Sequence, residues 1–156
     1  MDIATLGFRG EALPSIAAVA EVTMVSRPMS QNSGTKVEVW NGRVQGCQSQ
    51  GASVGTVVTV KHLFKEFPAR RKFLRSVASE ASWIQRVVAR YVLAYPSVKF
   101  RLWMNELVVL HSPGSSLLRE AVASVYGTDA AGEMLELVPE ESQVRFRLIS
   151  PSGMIR

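Results

Sequence analysis

The sequence predicts an α+β fold, and three observations carry the prediction. Near the N-terminal end, a short helical pattern runs into a series of alternating, β-branched segments joined by tight turns. A longer amphipathic helix pattern over 79–95 then leads into a second hairpin pattern. Apolar residues form 47% of the chain and charged residues 20%, the balance of folded domains, so a chain of 156 residues can bury a core. Hairpins grouped between helices indicate an antiparallel sheet layered with helices.

In order along the chain, "EALPSIAAVAEV" places Leu13, Ile16, Ala17 and Ala20 on one side at helical spacing, with Pro14 early enough for a first turn. "EVTMVSRP" reads as a strand closed by Pro28, and "SQNSG" as a turn. "TKVEVWNGRVQGCQ" reads as a hairpin about Asn41-Gly42, a pair that accepts the positive dihedrals of a two-residue turn. "GTVVTVKHLF" is a further β-branched strand, and "EFPARRKFLRS" a basic loop leading into a short helix. Over Ser79 to Tyr95, Ile84, Val87, Val88, Tyr91, Val92 and Tyr95 form the expected buried stripe, opposite Gln85, Arg86 and Arg90. "VKFRLWMNELVVLHS" is a hairpin turning at Asn105-Glu106. "HSPGSS" has the composition of a linker and is expected to divide domains 1–113 and 114–156. A helix follows over "SLLREAVASVYG", stopped by Gly127, and then two strands near "EMLELVP" and "QVRFRLI".

The formal net charge of +5, from 18 Lys and Arg against 13 Asp and Glu, favours anionic partners, and Arg70, Arg71, Lys72 and Arg75 concentrate that charge. A single cysteine, Cys47, excludes an internal disulfide and a multi-thiolate zinc site, and fits a cytosolic setting. His62 and His111 have no second ligand or nucleophile at a diagnostic spacing and read as surface or packing residues. No leader pattern and no membrane-spanning apolar run occurs in the sequence, so neither export nor membrane association is expected.

The stretch "LGFRGEAL" sets two glycines before a helix start. Glycine lets a backbone approach a phosphate closely, and first-turn N–H groups with the helix dipole favour an anion. Met1 leaves no strand or helix ahead of this turn, and too little chain follows "HSPGSS" for a further domain, so both ends are expected to be cut.

Together, "GFRGEAL", "VGTVVTVKHLF" and "FPARRKFLRS" resemble the MutL family of DNA mismatch repair proteins, within the wider gyrase, Hsp90 and MutL (GHKL) ATPase group. The resemblance implies the C-terminal part of a GHKL (Bergerat) ATPase α/β sandwich, then the start of a ribosomal S5 domain 2-like transducer. It implies ATP, with Mg2+, as cofactor, and an ATP-binding set of Gly7, Arg9, Gly10, Glu11, Ala12, Leu13 and Thr56. By the resemblance, the first six would form the end of a lid over the phosphates, with Glu11 a helix N-terminal or lid-orienting residue, and Thr56 would lie on the strand floor. Arg70, Arg71 and Lys72 shape a coupling or basic surface. Glu66 stands where the family often has asparagine, a departure that touches the local turn bonds.

The family's hydrolytic glutamate, metal-holding asparagine and Asp-x-Gly-x-Gly motif have no counterpart in this sequence, whose aspartates are Asp2 and Asp129 alone. The family's transducer lysine would lie beyond Arg156. Without a base to orient water, the chain alone is expected not to hydrolyse ATP at a useful rate. For the intact protein, the resemblance implies ATP-dependent N-terminal dimerisation and sequence-independent DNA contact. It further implies a MutS-like mismatch recognition partner, a downstream helicase or nuclease, and a cytoplasmic or nucleoid-associated location. The competing reading is a non-enzymatic basic module that docks on DNA or protein. A gyrase-like or chaperone-like task is weighed against by "PARRKFL".

Overall fold

The computed structural model describes residues 10–135, in two compact units that meet in sequence between Arg75 and Ser76. In the first unit, helix α1 (Ala12–Ala17) precedes strands β1 (Glu21–Arg27), β2 (Gly34–Trp40), β3 (Arg43–Gln50) and β4 (Gly55–Lys61), and helix α2 (Pro68–Arg71) closes it. The strands form one antiparallel sheet in the order β3-β2-β1-β4.

Facing residues of an antiparallel sheet share a side, so the register defines its faces. Val22 stands between Val39 and Val60, Met24 between Val37 and Val58, and Ser26 between Thr35 and Thr56. One face is thus apolar at the end where β1 begins and hydroxyl-bearing at the other. Ala17, Ala20 and Val22 are buried at the apolar end.

Two backbone bonds fasten α1 there: Gly42 N–H donates to the Ala17 carbonyl at 2.9 Å, and Phe64 N–H to the Val19 carbonyl at 2.8 Å. The first comes from the hairpin tip, where Asn41 and Gly42 take φ 49° and 68°, as the Asn-Gly pair predicts. Close approach explains another glycine. A Cβ on Gly34 would meet the Ser26 carbonyl oxygen at 3.0 Å and the Ala52 Cβ at 3.1 Å.

In the second unit, helix α3 (Val77–Ala94) is followed by the hairpin β5 (Arg101–Met104) and β6 (Leu107–His111), then α4 (Leu118–Tyr126) and α5 (Thr128–Glu133). Ser76 caps α3 by accepting from Ser79 N–H at 3.3 Å. Val92, Leu110 and Ala121 form the core, with Val88, Ala89, Phe100, Leu102 and Val125 packed around it.

This packing corrects the expected stripe on α3. Val92 is fully buried and Val88 partly so, but Ile84, Val87 and Tyr91 are close to half exposed. The buried stripe runs instead through Val88, Ala89 and Val92, where α4 and the hairpin can approach small side chains closely.

The Ser-Pro-Gly stretch lies inside the second unit, between β6 and α4, and differs from the expected linker for a definite reason. Ser112 is buried, with its hydroxyl accepting from Phe100 N–H at 3.1 Å and donating to the Val98 carbonyl at 3.3 Å. Gly114, at φ +74°, lies so close to Lys99 that a Cβ would stand 2.7 Å from its backbone nitrogen. The residues are small because the backbone is tightly packed.

α5 was not foreseen. Arg119 holds its end, donating to the Ala131 carbonyl at 2.8 Å and the Met134 carbonyl at 3.3 Å. Of the strand expected at "EMLELVP", Glu133 ends α5, Met134 and Leu135 are in no strand, and the rest lies, with "QVRFRLI", outside the described residues.

Urea unfolding tests the corrected helix face: Val92→Ala should cost about 2 kcal/mol, whereas Ile84→Ala should change stability by less than about 0.5 kcal/mol. Equal losses would refute it. The hairpin tips give a second test, because Glu106 carries φ 66° without a glycine's freedom. Glu106→Gly should stabilise by up to about 1 kcal/mol, and Gly42→Val should destabilise by about 1–2 kcal/mol in the same assay.

Candidate functional site

Of the residues expected to end a lid, Gly7 and Arg9 lie outside the described residues. Gly10 takes φ +65°, with no heavy atom of the described residues within 4 Å of where a Cβ would stand, so on their side its backbone is open to approach. Glu11 occupies the N-cap of α1 without a side-chain cap bond, and Ala12 and Leu13 form the first helical positions. Pro14 has no N–H, so the initial turn presents the N–H groups of Glu11, Ala12 and Leu13, which the helix cannot itself satisfy. Ser15 donates its hydroxyl to the Glu11 and Ala12 carbonyls and tightens the turn.

Thr56 is the second residue of β4, on the hydroxyl-bearing part of the sheet face. Its Oγ1 lies 2.8 Å from Ser26 Oγ across the β1–β4 pairing. The position expected on the floor is thus paired with a second hydroxyl, that of Ser26, which no local pattern points to. About 17 Å of extended strand separates Thr56 from Lys61 at the other end of β4.

Beyond Lys61 the chain turns sharply, with His62 and Phe64 at φ 55° and 59°. Glu21 on β1 receives His62 Nδ1 at 2.9 Å and stands 3.9 Å from Lys65 Nζ. This pair was not foreseen either, because it depends on the bend between β4 and α2. Glu66 and Phe67 line a small recess beside it with Trp40 and Asn41. Pro68 starts α2 in the position where its missing N–H costs nothing. Arg70, Arg71 and Lys72 are all exposed, and the Arg70 guanidinium stands 5.6 Å from the Phe67 ring centre. The described residues of these three motifs therefore lie on or beside α1, β4 and α2 of the first unit.

Among the described residues no group of three or more His, Cys, Asp or Glu side chains could hold a metal ion. No helix among them is long and apolar enough to cross a membrane.

No family model matches the chain. Solved structures do. The chain is 34% identical to "Aquifex aeolicus MutL ATPase domain complexed with ADP", with a TM-score of 0.74 over 81% of this chain and 50% of that one. A second Aquifex aeolicus MutL ATPase domain is 28% identical, with a TM-score of 0.68 over 87% of this chain and 53% of that one. The fold is therefore that of a GHKL ATPase domain of the MutL type, of which this chain covers part. Among curated proteins, DNA mismatch repair protein MutL of Desulforudis audaxviator is 46% identical over 139 residues, 89% of this chain and 25% of that protein. Its counterpart from Acidiphilium cryptum is 43% identical over 155 residues, 99% of this chain and 26% of that protein. The chain belongs to the MutL family of DNA mismatch repair proteins. It spans about a quarter of the length of the curated relatives it matches.

The Ser26–Thr56 pair is exposed, so its structural worth is small. Thr56→Val and Ser26→Ala should each change stability by less than about 1 kcal/mol, with a coupling energy no larger in a double-mutant cycle followed by urea unfolding. A larger coupling would make the pair a structural element first.

Proposed function

We propose that this chain supplies the lid end and part of the strand floor of a nucleotide site in an ATP-driven mismatch repair switch. The observation that carries the reading is the open, left-handed Gly10 running directly into the first turn of α1, in a chain similar to an ATPase domain complexed with ADP. In this reading Gly7 and Gly10 admit the phosphates to the backbone, and the first-turn N–H groups face them. Arg9 contributes positive charge to the closed lid, and Glu11 keeps the turn oriented. Thr56, with Ser26, offers hydroxyls to the floor.

Nucleotide acts as a conformational effector here, since a ligand shifts a two-state equilibrium only by its differential affinity for the two states. Lid closure on ATP would drive N-terminal dimerisation, and so couple a MutS-like mismatch recognition protein to a helicase or nuclease. Mg2+ belongs to the intact site and would be held by residues other than those described. Residues 1–113 would then serve the nucleotide domain and 114–156 the start of the transducer. The core of Val92, Leu110 and Ala121 would join those two parts mechanically.

The second reading, a basic module that contacts DNA or protein without nucleotide, draws on the exposure of Arg70, Arg71 and Lys72. A graft separates the two. This chain replaces the segment it matches in the Aquifex aeolicus MutL ATPase domain, and ADP affinity is read by calorimetry. The graft should bind ADP, and Gly10→Val should weaken it about tenfold by obstructing the phosphates. Reversing the charge of Arg70, Arg71 and Lys72 should leave ADP affinity unchanged while reducing the salt slope of DNA binding. An ADP affinity indifferent to Gly10→Val would sink the lid assignment.

A further inference from the structure

We propose that the groove between α3 and α4 in the second unit is a docking site for an acidic amphipathic helix of a partner protein. The groove has a volume of about 380 Å3, and among the described residues no acidic side chain lines it. Its floor is apolar, formed by Leu93, Leu110 and Val125 among others, and Tyr126 stands at its side, more than half exposed. Arg86 and Arg90 also line it, from one face of α3.

Three features of this arrangement select the occupant. Arg86 and Arg90 are four residues apart, a rise of about 6 Å, the spacing at which two carboxylates one turn apart on a facing helix would meet them. The Arg86 guanidinium stands 5.4 Å from the Trp83 ring centre. Stacking of that kind uses a guanidinium's face and leaves its in-plane N–H groups for a carboxylate, which they can grip with two bonds. The apolar floor suits the leucine-like face of an amphipathic helix. A sugar-phosphate backbone would gain little from that floor, and tight DNA binding draws on several phosphate contacts where this groove offers two arginines.

Fluorescence anisotropy of the 156-residue chain tests the proposal, with a fluorescein-labelled helical peptide bearing two glutamates one turn apart beside a leucine face. Saturable binding is expected. It should weaken about tenfold in the Arg86→Glu, Arg90→Glu double variant and recover when lysines replace the peptide's glutamates. Arg90→Gln, at an exposed position, should weaken it by a smaller factor with an unchanged circular dichroism spectrum. Absence of saturable binding, equal binding of a peptide with glutamines for glutamates, or indifference to the double variant would each overturn the proposal. So would a labelled DNA duplex that binds through the same two arginines when the peptide does not, an outcome that assigns the groove to nucleic acid.

Discussion

The first unit depends on how the C-terminal end of α1 is satisfied. A six-residue helix leaves most of its carbonyls without intrahelical partners, and isolated it would be unstable. Here the Ala17 and Val19 carbonyls receive N–H groups from Gly42 and Phe64, one from the β2–β3 hairpin tip and one from the turn after β4. Both donors come from turns whose backbones enter the left-handed region. The positive φ at Asn41, Gly42, His62 and Phe64 therefore has a common consequence: it points N–H groups at a helix end that water would otherwise have to solvate. The same bend brings His62 and Lys65 to Glu21, at the start of β1. These contacts are partly exposed and contribute little energy, but they restrict the path into α2.

The second unit solves a different problem, that of closing a small core with small residues. Val92 is fully buried against Leu110 and Ala121, and the chain then has to pass from β6 into α4 without opening that core. Ser112 achieves this with one hydroxyl that both accepts and donates, satisfying backbone groups at Phe100 and Val98. A buried hydroxyl with both roles filled costs little, whereas its loss would leave those groups unpaired. Gly114 then permits a backbone approach to Lys99 that a side chain would prevent.

Much of this was legible in the sequence where local chemistry decides the outcome. The two hairpins turn at Asn41-Gly42 and Asn105-Glu106 because those positions require positive φ, and the alternating β-branched residues set the strands. The order of helices and strands through Tyr126 follows the pattern, and the motifs brought the chain to its family. The buried face of α3 was less legible, since apolar residues occupy more than one stripe and periodicity alone cannot tell which stripe a neighbour covers. The composition of "HSPGSS" read as a linker because close backbone packing and exposed flexibility select the same small residues. α5 has no broad apolar stripe and ends in a bond network from Arg119, a tertiary feature with no local signature. The Ser26–Thr56 and Glu21–His62 pairs belong to the same category, since each exists only when distant segments meet.

The site's physical character follows from these supports. With six residues and a proline in the first turn, α1 has few dipoles to align, so it offers a phosphate little more than its initial N–H groups. The proposed lid therefore rests on backbone access and on the placement of those donors. Placement is what the Gly42 and Phe64 bonds to the end of α1 provide. A lid built in this way has a firm attachment at its helix end and an open glycine at Gly10, the position from which it would move. Closure would then change the conformation around that glycine while leaving the sheet undisturbed, as a hinge requires if ligand binding is to select between two discrete states. In the proposed device the energy that distinguishes open from closed would come from phosphate contacts made by backbone N–H groups, and the helix behind them would serve as the fixed point against which those contacts act.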